Sequence, residues 1–100
     1  MEDKHFIYEI ITLDGYVKPD VQLTLDGATA LIAYAVEEDG YASVRVWCDD
    51  GGVMRCTVHK KVDADGGRFY YIEPLKCTSK QASDLLVAVF NAIDDINQAA

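Results

Sequence analysis

Basic residues are scarce in the first half of this chain of 100 residues. Residues 1–50 contain three lysines and arginines against eleven aspartates and glutamates, whereas residues 51–100 contain six of each kind. The first half therefore carries the whole net charge of −8. A surface of one sign attracts partners of the opposite sign and repels nucleic acid and anionic membranes. We therefore expect no direct nucleic-acid partner and no membrane partner.

Long hydrophobic runs, prolines and cysteines are also few. No apolar stretch approaches the ~20 residues that a membrane-spanning helix needs, and the acidic N-terminus is unlike a secretory signal. Two prolines interrupt a composition that is 50% apolar, which is typical of a folded domain. Cys48, Cys56 and Cys77 form neither a CxxC pair nor a zinc-type cluster, so we expect buried free thiols in a cytoplasmic protein.

The apolar pattern that is present predicts one α+β domain over residues 1–100. Strands are predicted where aromatic and β-branched residues alternate with polar ones, and helices where apolar residues recur at helical spacing. The predicted order is strand, helix, strand, strand, strand, helix, over residues 5–13, 27–38, 41–48, 53–62, 68–73 and 78–97, with a short extended piece at 21–25. One mostly antiparallel sheet with two helices packed on one face buries both apolar helix stripes.

Short local signals set the predicted boundaries of these elements. Asp26 stands at the N-cap position of the first helix, and Gly40 stands where that helix should stop. Thr78 with Gln81 resembles a capping box at the start of the second helix. Pro74 is predicted to end the last strand, because proline has no N–H to donate to a neighbouring strand.

The register of the first hairpin is constrained by the face that each side chain occupies. An even-numbered loop would place the apolar side chains of one strand opposite the polar side chains of the next. A three-residue loop at 50–52, with a glycine in the left-handed conformation, places Val46 opposite Cys56 and Val44 opposite Val58. One face of the sheet is then apolar throughout, so we predict this register.

The acidic residues at one end of the predicted fold are a candidate binding surface. Glu37, Glu38 and Asp39 close the first helix, where the helix dipole favours cations by about 0.3–1 kcal/mol per charge. The predicted topology places Asp63 and Asp65 at the same end. Acids that oppose local stability indicate a place to look for function, although a solvated helix end in an acidic protein has the same pattern.

The sheet face away from the helices is the second candidate surface. The residues predicted to lie on it are Trp47, Tyr41, Arg45, Arg55 and His59, and Tyr71 joins them if the second hairpin also has a three-residue loop. Aromatic and arginine residues grouped on one face are typical of protein interfaces, and they also resemble the stacking platforms of RNA-binding sheets. Alternatively, another strand or a symmetry mate covers the face, or the aromatic residues only support the sheet.

No set of residues in the sequence is typical of an enzyme or of a cofactor or metal site. His59 and Cys56 lie on opposite faces of one strand, so they cannot act as a catalytic pair. The sequence Asp63-x-Asp65-Gly66 resembles the opening of a calcium loop, but the later ligands of such a loop are missing and a turn explains the spacing. We therefore expect no enzyme, no cofactor and no metal.

The sequence predicts a small, acidic, non-enzymatic binding protein that engages a basic surface of a partner protein. Small acidic proteins of this kind commonly inhibit nucleic-acid-binding proteins, as do nuclease immunity proteins and phage anti-defence proteins such as CRISPR inhibitors. Acidic groups placed opposite lysines and arginines raise association rates and fix orientation. Two alternatives remain open: RNA or single-strand binding through the open sheet face, and a structural subunit that forms a homodimer through the sheet.

Overall fold

The computed structural model describes residues 10–12, 15–17 and 23–99, with the backbone alone in the first two segments and at residue 39. The chain forms an α+β fold. Its elements, in order, are β1 (Ile10–Thr12), β2 (Gly15–Val17), α1 (Leu25–Asp39), β3 (Ala42–Trp47), β4 (Val53–Val62), β5 (Arg68–Cys77) and α2 (Lys80–Ala99). The predicted first strand at 5–13 is confirmed at Ile10–Thr12, and its other residues lie outside the described residues.

Three antiparallel strands and two helices form the body of the fold. β4 lies between β3 and β5, and both helices pack on one face of this sheet. β1 pairs with β2 in an antiparallel hairpin, and its Cα atoms approach those of β3 within 8 Å. β1 and β2 form a two-stranded sheet of their own, separate from the three-stranded sheet. The predicted fold class is confirmed, with β2 as an additional strand.

The core lies between the helices and the even-numbered residues of β3 and β4. Of the predicted core residues, Val44, Val46, Met54, Cys56, Val58, Ile32, Val89 and Ile93 are buried, and Leu31 and Leu86 are partly buried against them. Complete burial of one large aliphatic side chain stabilises a fold by about 1.5–3 kcal/mol. The alternation of apolar and polar residues therefore predicts the buried face of the sheet correctly.

The first helix begins at Leu25, two residues earlier than predicted, and its cap is correspondingly Thr24 and not Asp26. Thr24 is the N-cap: its backbone is extended, and its Oγ1 accepts a hydrogen bond from the Gly27 N–H at 3.1 Å. Asp26 lies instead in the first turn, where a carboxylate complements the helix dipole. Leu25 is therefore helical and not part of an extended piece at 21–25, of which residues 21 and 22 lie outside the described residues. Gly40 ends the helix as predicted, with φ of 73°.

The first hairpin has the predicted loop length but a different register. Its three-residue loop is 49–51, with Gly51 in the left-handed conformation, and the Cys48 N–H donates to the Gly52 carbonyl at 2.9 Å. Val46 consequently lies opposite Met54, and Val44 opposite Cys56. In this register Gly52 packs against the start of α2, where a Cβ would collide with the Ser79 side chain. The shift keeps every side chain on its predicted face.

The last strand does not end at Pro74 but continues to Cys77. β5 is an edge strand, and no further strand lies on its outer side in this sheet. A proline is tolerated there because no neighbouring strand needs a hydrogen bond from its missing N–H. A β-bulge also falls here: Cys56 lies opposite Pro74 and Arg55 opposite Lys76, so Leu75 is an extra residue. The predicted end of the strand at Pro74 was wrong, because the bulge and the edge position of β5 depend on how the strands pair and not on the local sequence.

The residue that caps α2 lies one position after the predicted cap, Thr78. Ser79 takes the capping position, since its Oγ accepts a hydrogen bond from the Ala82 N–H at 3.1 Å. Thr78 instead accepts a hydrogen bond from the Val53 N–H at 2.8 Å and so ties the helix to β4. Gln81 accepts one from the Asp50 N–H at 3.0 Å, so its side chain serves the hairpin turn and not the helix cap.

Candidate functional site

The sheet face away from the helices carries polar, charged and aromatic side chains. We call it the open sheet face and define it by Tyr41, Ser43, Arg45, Trp47, Val53, Arg55, Thr57, His59, Lys61, Phe69, Tyr71, Glu73, Leu75 and Lys76. Four of the predicted site residues lie here: Trp47, Tyr41, Arg45 and Arg55. Strand alternation brings them together, and the pairing of three strands places them in rows.

An aromatic row crosses the three strands near the second hairpin. The His59 ring stacks on Tyr71 with centroids 5.0 Å apart, and the Tyr41 ring meets His59 edge-on at 5.5 Å. Tyr71 lies opposite His59 because the second hairpin also has a three-residue loop that ends in a left-handed Gly66. The His59 Nε2 is 3.0 Å from the Glu73 Oε1, which fixes the ring. The row is a preformed aromatic surface.

The single tryptophan forms a cation–π pair at the other end of this face. The guanidinium carbon of Arg45 lies 4.7 Å from the centroid of the Trp47 ring, within the range of a favourable interaction. Both side chains are half-buried. This contact restrains the position of the Arg45 guanidinium on the open sheet face.

A row of three cations crosses the sheet between the tryptophan and the aromatic row. Arg45 lies directly opposite Arg55 on β4, and Arg55 lies opposite Lys76 on β5. Lys76 is a site residue that sequence reasoning missed, because the strand was expected to end at Pro74. Once the bulge after Pro74 is known, its position on this face follows. We call Arg45, Arg55 and Lys76 the cation row.

A shallow depression of about 210 Å³ opens beside the cation row. Ser43, Val44, Arg45, Arg55 and Leu75 line it. The Nε of Arg45 is buried and has no hydrogen-bond partner among the described residues. Leu75, the extra residue of the bulge, is 51% exposed and adds an apolar edge. The depression therefore combines positive charge with apolar surface.

The acidic end of α1 also lies against a lysine that sequence reasoning did not place there. Glu37 and Glu38 are exposed in the last turn, and Asp39 is described by its backbone alone. The Lys60 side chain lies over the helix end, where its Cδ would be 3.2 Å from a Cβ at Gly40. A lysine in this position offsets part of the unfavourable interaction between the acids and the helix dipole.

The two aspartates of the second hairpin have a structural use in the turn. The Oδ1 atom of Asp63 accepts hydrogen bonds from the N–H groups of Asp65 and Gly67 at 3.0 and 2.8 Å. This arrangement accounts for the Asp63-x-Asp65-Gly66 spacing as a turn. Both aspartates are exposed, and they lie at the end of the molecule where β3 begins and β4 ends. The Asp65 carboxylate takes no part in these two hydrogen bonds of the turn.

The described part of the chain offers little reactive chemistry. No three histidines, cysteines, aspartates or glutamates lie together as a metal-binding group among the described residues. Burial raises the pKa of Cys56 to about 12, and burial with the nearby Asp50 carboxylate raises the pKa of Cys48 to about 11. Cys77 is exposed, so the prediction of a buried thiol is wrong there, because its strand lies at the sheet edge.

Comparison with known proteins adds no relative to this picture. No protein-family model matches the sequence, and neither a curated protein nor a solved structure shows significant similarity to it. Among the described residues, neither helix has the length and apolar character required to cross a bilayer. The surfaces of the described residues are therefore the features that bear on function.

Proposed function

We propose that this chain is a small non-enzymatic domain that binds another protein through the open sheet face. The observation that carries the proposal is the Arg45–Trp47 pair, which shares one face with the row of Tyr41, His59 and Tyr71. Tryptophan, tyrosine and arginine are the residues that most often dominate binding energy at protein interfaces. Because neighbours already hold these rings, a partner that covers them would cost little side-chain entropy.

A protein partner is favoured over single-stranded nucleic acid on the same face. The exposed rings of Phe69 and Tyr71 offer surfaces on which a base can stack, so ring exposure does not decide between the two partners. The net charge of −8 produces long-range repulsion of any polyanion. This repulsion supports a protein as the partner.

The acidic end of α1 supports a second contact, with a basic surface of the partner. Glu37 and Glu38 are exposed, and neither forms an ion pair with another described residue. Acidic groups of this kind would steer the domain toward lysines and arginines on the partner. A domain that covers a basic nucleic-acid-binding surface would act as an inhibitor, in the manner of immunity and anti-defence proteins. Inhibition is therefore the activity that we propose for this contact.

Capture of proteins from the source cells by the immobilised full chain tests the proposal. We expect a protein that stays bound after nuclease treatment and that Trp47→Ala releases, with a loss of about 2 kcal/mol or more in binding free energy. Val87→Ala is the matched control, because Val87 is 56% exposed on α2 and should leave the affinity unchanged. Loss of every captured protein on nuclease treatment would contradict a protein partner.

Two further measurements separate the contact surfaces from effects on folding. Trp47 is half-buried, so Trp47→Ala should cost less stability than the ~3–5 kcal/mol of a core tryptophan. Urea denaturation followed by circular dichroism measures this cost.

The double variant Glu37→Gln, Glu38→Gln should fold normally and bind the captured protein with a slower association rate. An unchanged association rate would remove the acidic end from the contact.

A further inference from the structure

We infer that the cation row of the open sheet face binds an acidic segment of the partner protein, an inference that rests on the proposed function. Arg45, Arg55 and Lys76 are direct neighbours across three strands. Like charges that lie directly opposite each other destabilise a sheet. The fold therefore keeps three cations in an arrangement that does not help it to fold.

No carboxylate of the described residues neutralises the cation row. Glu73 is the one acidic side chain described on the open sheet face, and it is bonded to His59 at 3.0 Å. The remaining charge of the face is positive, in a chain whose net charge is −8. A partner segment with carboxylates at matching spacing would supply the missing negative charge.

Arg45 lines the depression beside the cation row and has hydrogen-bonding capacity that the fold does not use. Its guanidinium carbon lies 4.7 Å from the centroid of the Trp47 ring, and this contact restrains the group. Its Nε is buried and has no partner among the described residues, although a buried donor without an acceptor destabilises a protein. A carboxylate in the depression beside Ser43 and Leu75 would pair with the guanidinium through its terminal N–H groups, because the buried Nε is out of reach.

The edge of β5 is not the place where such a segment would bind. The backbone N–H of Tyr70 donates to the Asn97 side chain at 2.7 Å, and the Tyr70 carbonyl accepts from it at 2.9 Å. Pro74 offers no N–H farther along the same edge. An added strand would find these positions occupied or without a donor. The acidic segment would therefore lie across the open sheet face.

Titration of the ¹⁵N-labelled full chain tests the inference through the Nε–Hε signals of its arginines. The probes are a synthetic peptide of alternating glutamate and leucine, a single-stranded oligothymidylate of equal charge, and inorganic phosphate. We expect the peptide to shift the Arg45 and Arg55 signals saturably. Arg55→Gln and Lys76→Gln should each weaken peptide binding at least about tenfold, whereas Lys80→Gln, which removes an exposed cation on α2, should change it less than about twofold.

Several results would overturn the inference. One is an Arg45 signal that does not shift when the peptide is added. Another is a loss of peptide affinity in Lys80→Gln as large as that in Lys76→Gln. The third is that oligothymidylate or phosphate shifts the same signals at a lower concentration than the peptide does. If the peptide fails while capture of a protein still depends on Trp47, the acidic segment is wrong and the proposed function stands. If capture also fails, the proposed function falls with it.

Discussion

Asp50 connects the first hairpin turn to the start of α2. Its carboxylate accepts hydrogen bonds from the N–H groups of Gly52 and Gln81 and from the Ser79 hydroxyl. Burial acts to raise the pKa of this carboxyl, but these hydrogen bonds outweigh it and hold the pKa below its ordinary value of 3.8. One of the many acids in the first half of the chain is thus used by the fold itself.

The depressed pKa of Asp50 predicts a pH dependence of stability. Because the folded pKa lies below the unfolded one, the carboxylate stabilises the fold above about pH 4, and this contribution is lost as the pH falls through the folded pKa. We expect the free energy of unfolding to fall more steeply with acid in the wild type than in Asp50→Asn, as measured by urea denaturation at a series of pH values. Asp65→Asn, a turn-tip control, should keep the wild-type slope; equal slopes for wild type and Asp50→Asn would contradict this account.

The three cysteines are predicted to differ in reactivity. Cys77 is exposed, whereas burial raises the pKa of Cys48 to about 11 and that of Cys56 to about 12, so few thiolates form there at neutral pH. Brief treatment of the native protein with N-ethylmaleimide should therefore add one label, at Cys77, by intact mass and peptide mapping. The urea-unfolded chain should take a label at every cysteine. Rapid native labelling of Cys56 would show that the core is not packed as described.

At the scale of the elements, the outer edge of β5 is protected by a side chain of α2. Asn97 bonds to both backbone groups of Tyr70 and so replaces the strand that an edge lacks. The bulge and Pro74 protect the other end of the same strand. This protection explains how a strand with exposed aromatic residues can remain at the edge of a sheet without recruiting a further strand.

Removal of this side chain should both destabilise the fold and expose the edge. Asn97→Ala leaves a partly buried N–H and carbonyl of Tyr70 without partners, which we expect to cost about 1–3 kcal/mol in urea denaturation. Size-exclusion chromatography should show association that increases with concentration. Gln98→Ala, at an exposed neighbouring position, is the control and should change neither property. A monomeric Asn97→Ala variant of wild-type stability would show that the edge needs no protection.

The sequence allows the elements and their faces to be predicted better than their pairing. Strand alternation places Val44, Val46 and Met54 in the core without knowledge of the register, because side chains alternate with a period of two. The register depends on contacts between distant residues, such as Gly52 with Ser79, and these have no local signal. The continuation of β5 beyond Pro74 also depends on contacts between distant residues, in this case its pairing with β4.

At the scale of the whole molecule, the sequence predicts the two candidate surfaces but not their composition. Trp47, Tyr41, Arg45 and Arg55 share one face because alternation requires it. The addition of Lys76 depends on the bulge, and the position of Lys60 depends on a tertiary contact between its side chain and Gly40 at the end of α1. The domain is consequently less uniform in charge than a net value of −8 suggests. Among the described residues, the open sheet face that carries the tryptophan has four lysines and arginines against one glutamate.

The central claim is that a partner protein covers the open sheet face, and site-specific photocrosslinking in the source cells tests it most directly. A photoreactive phenylalanine analogue at Ser43 lies on this face and leaves the tryptophan and the cation row unchanged, while the same analogue at Ser83, exposed on α2, is the control. We predict a nuclease-resistant adduct with a second protein from position 43 and none from position 83. Adducts from position 83 alone, or an adduct from position 43 that nuclease removes, would contradict the account.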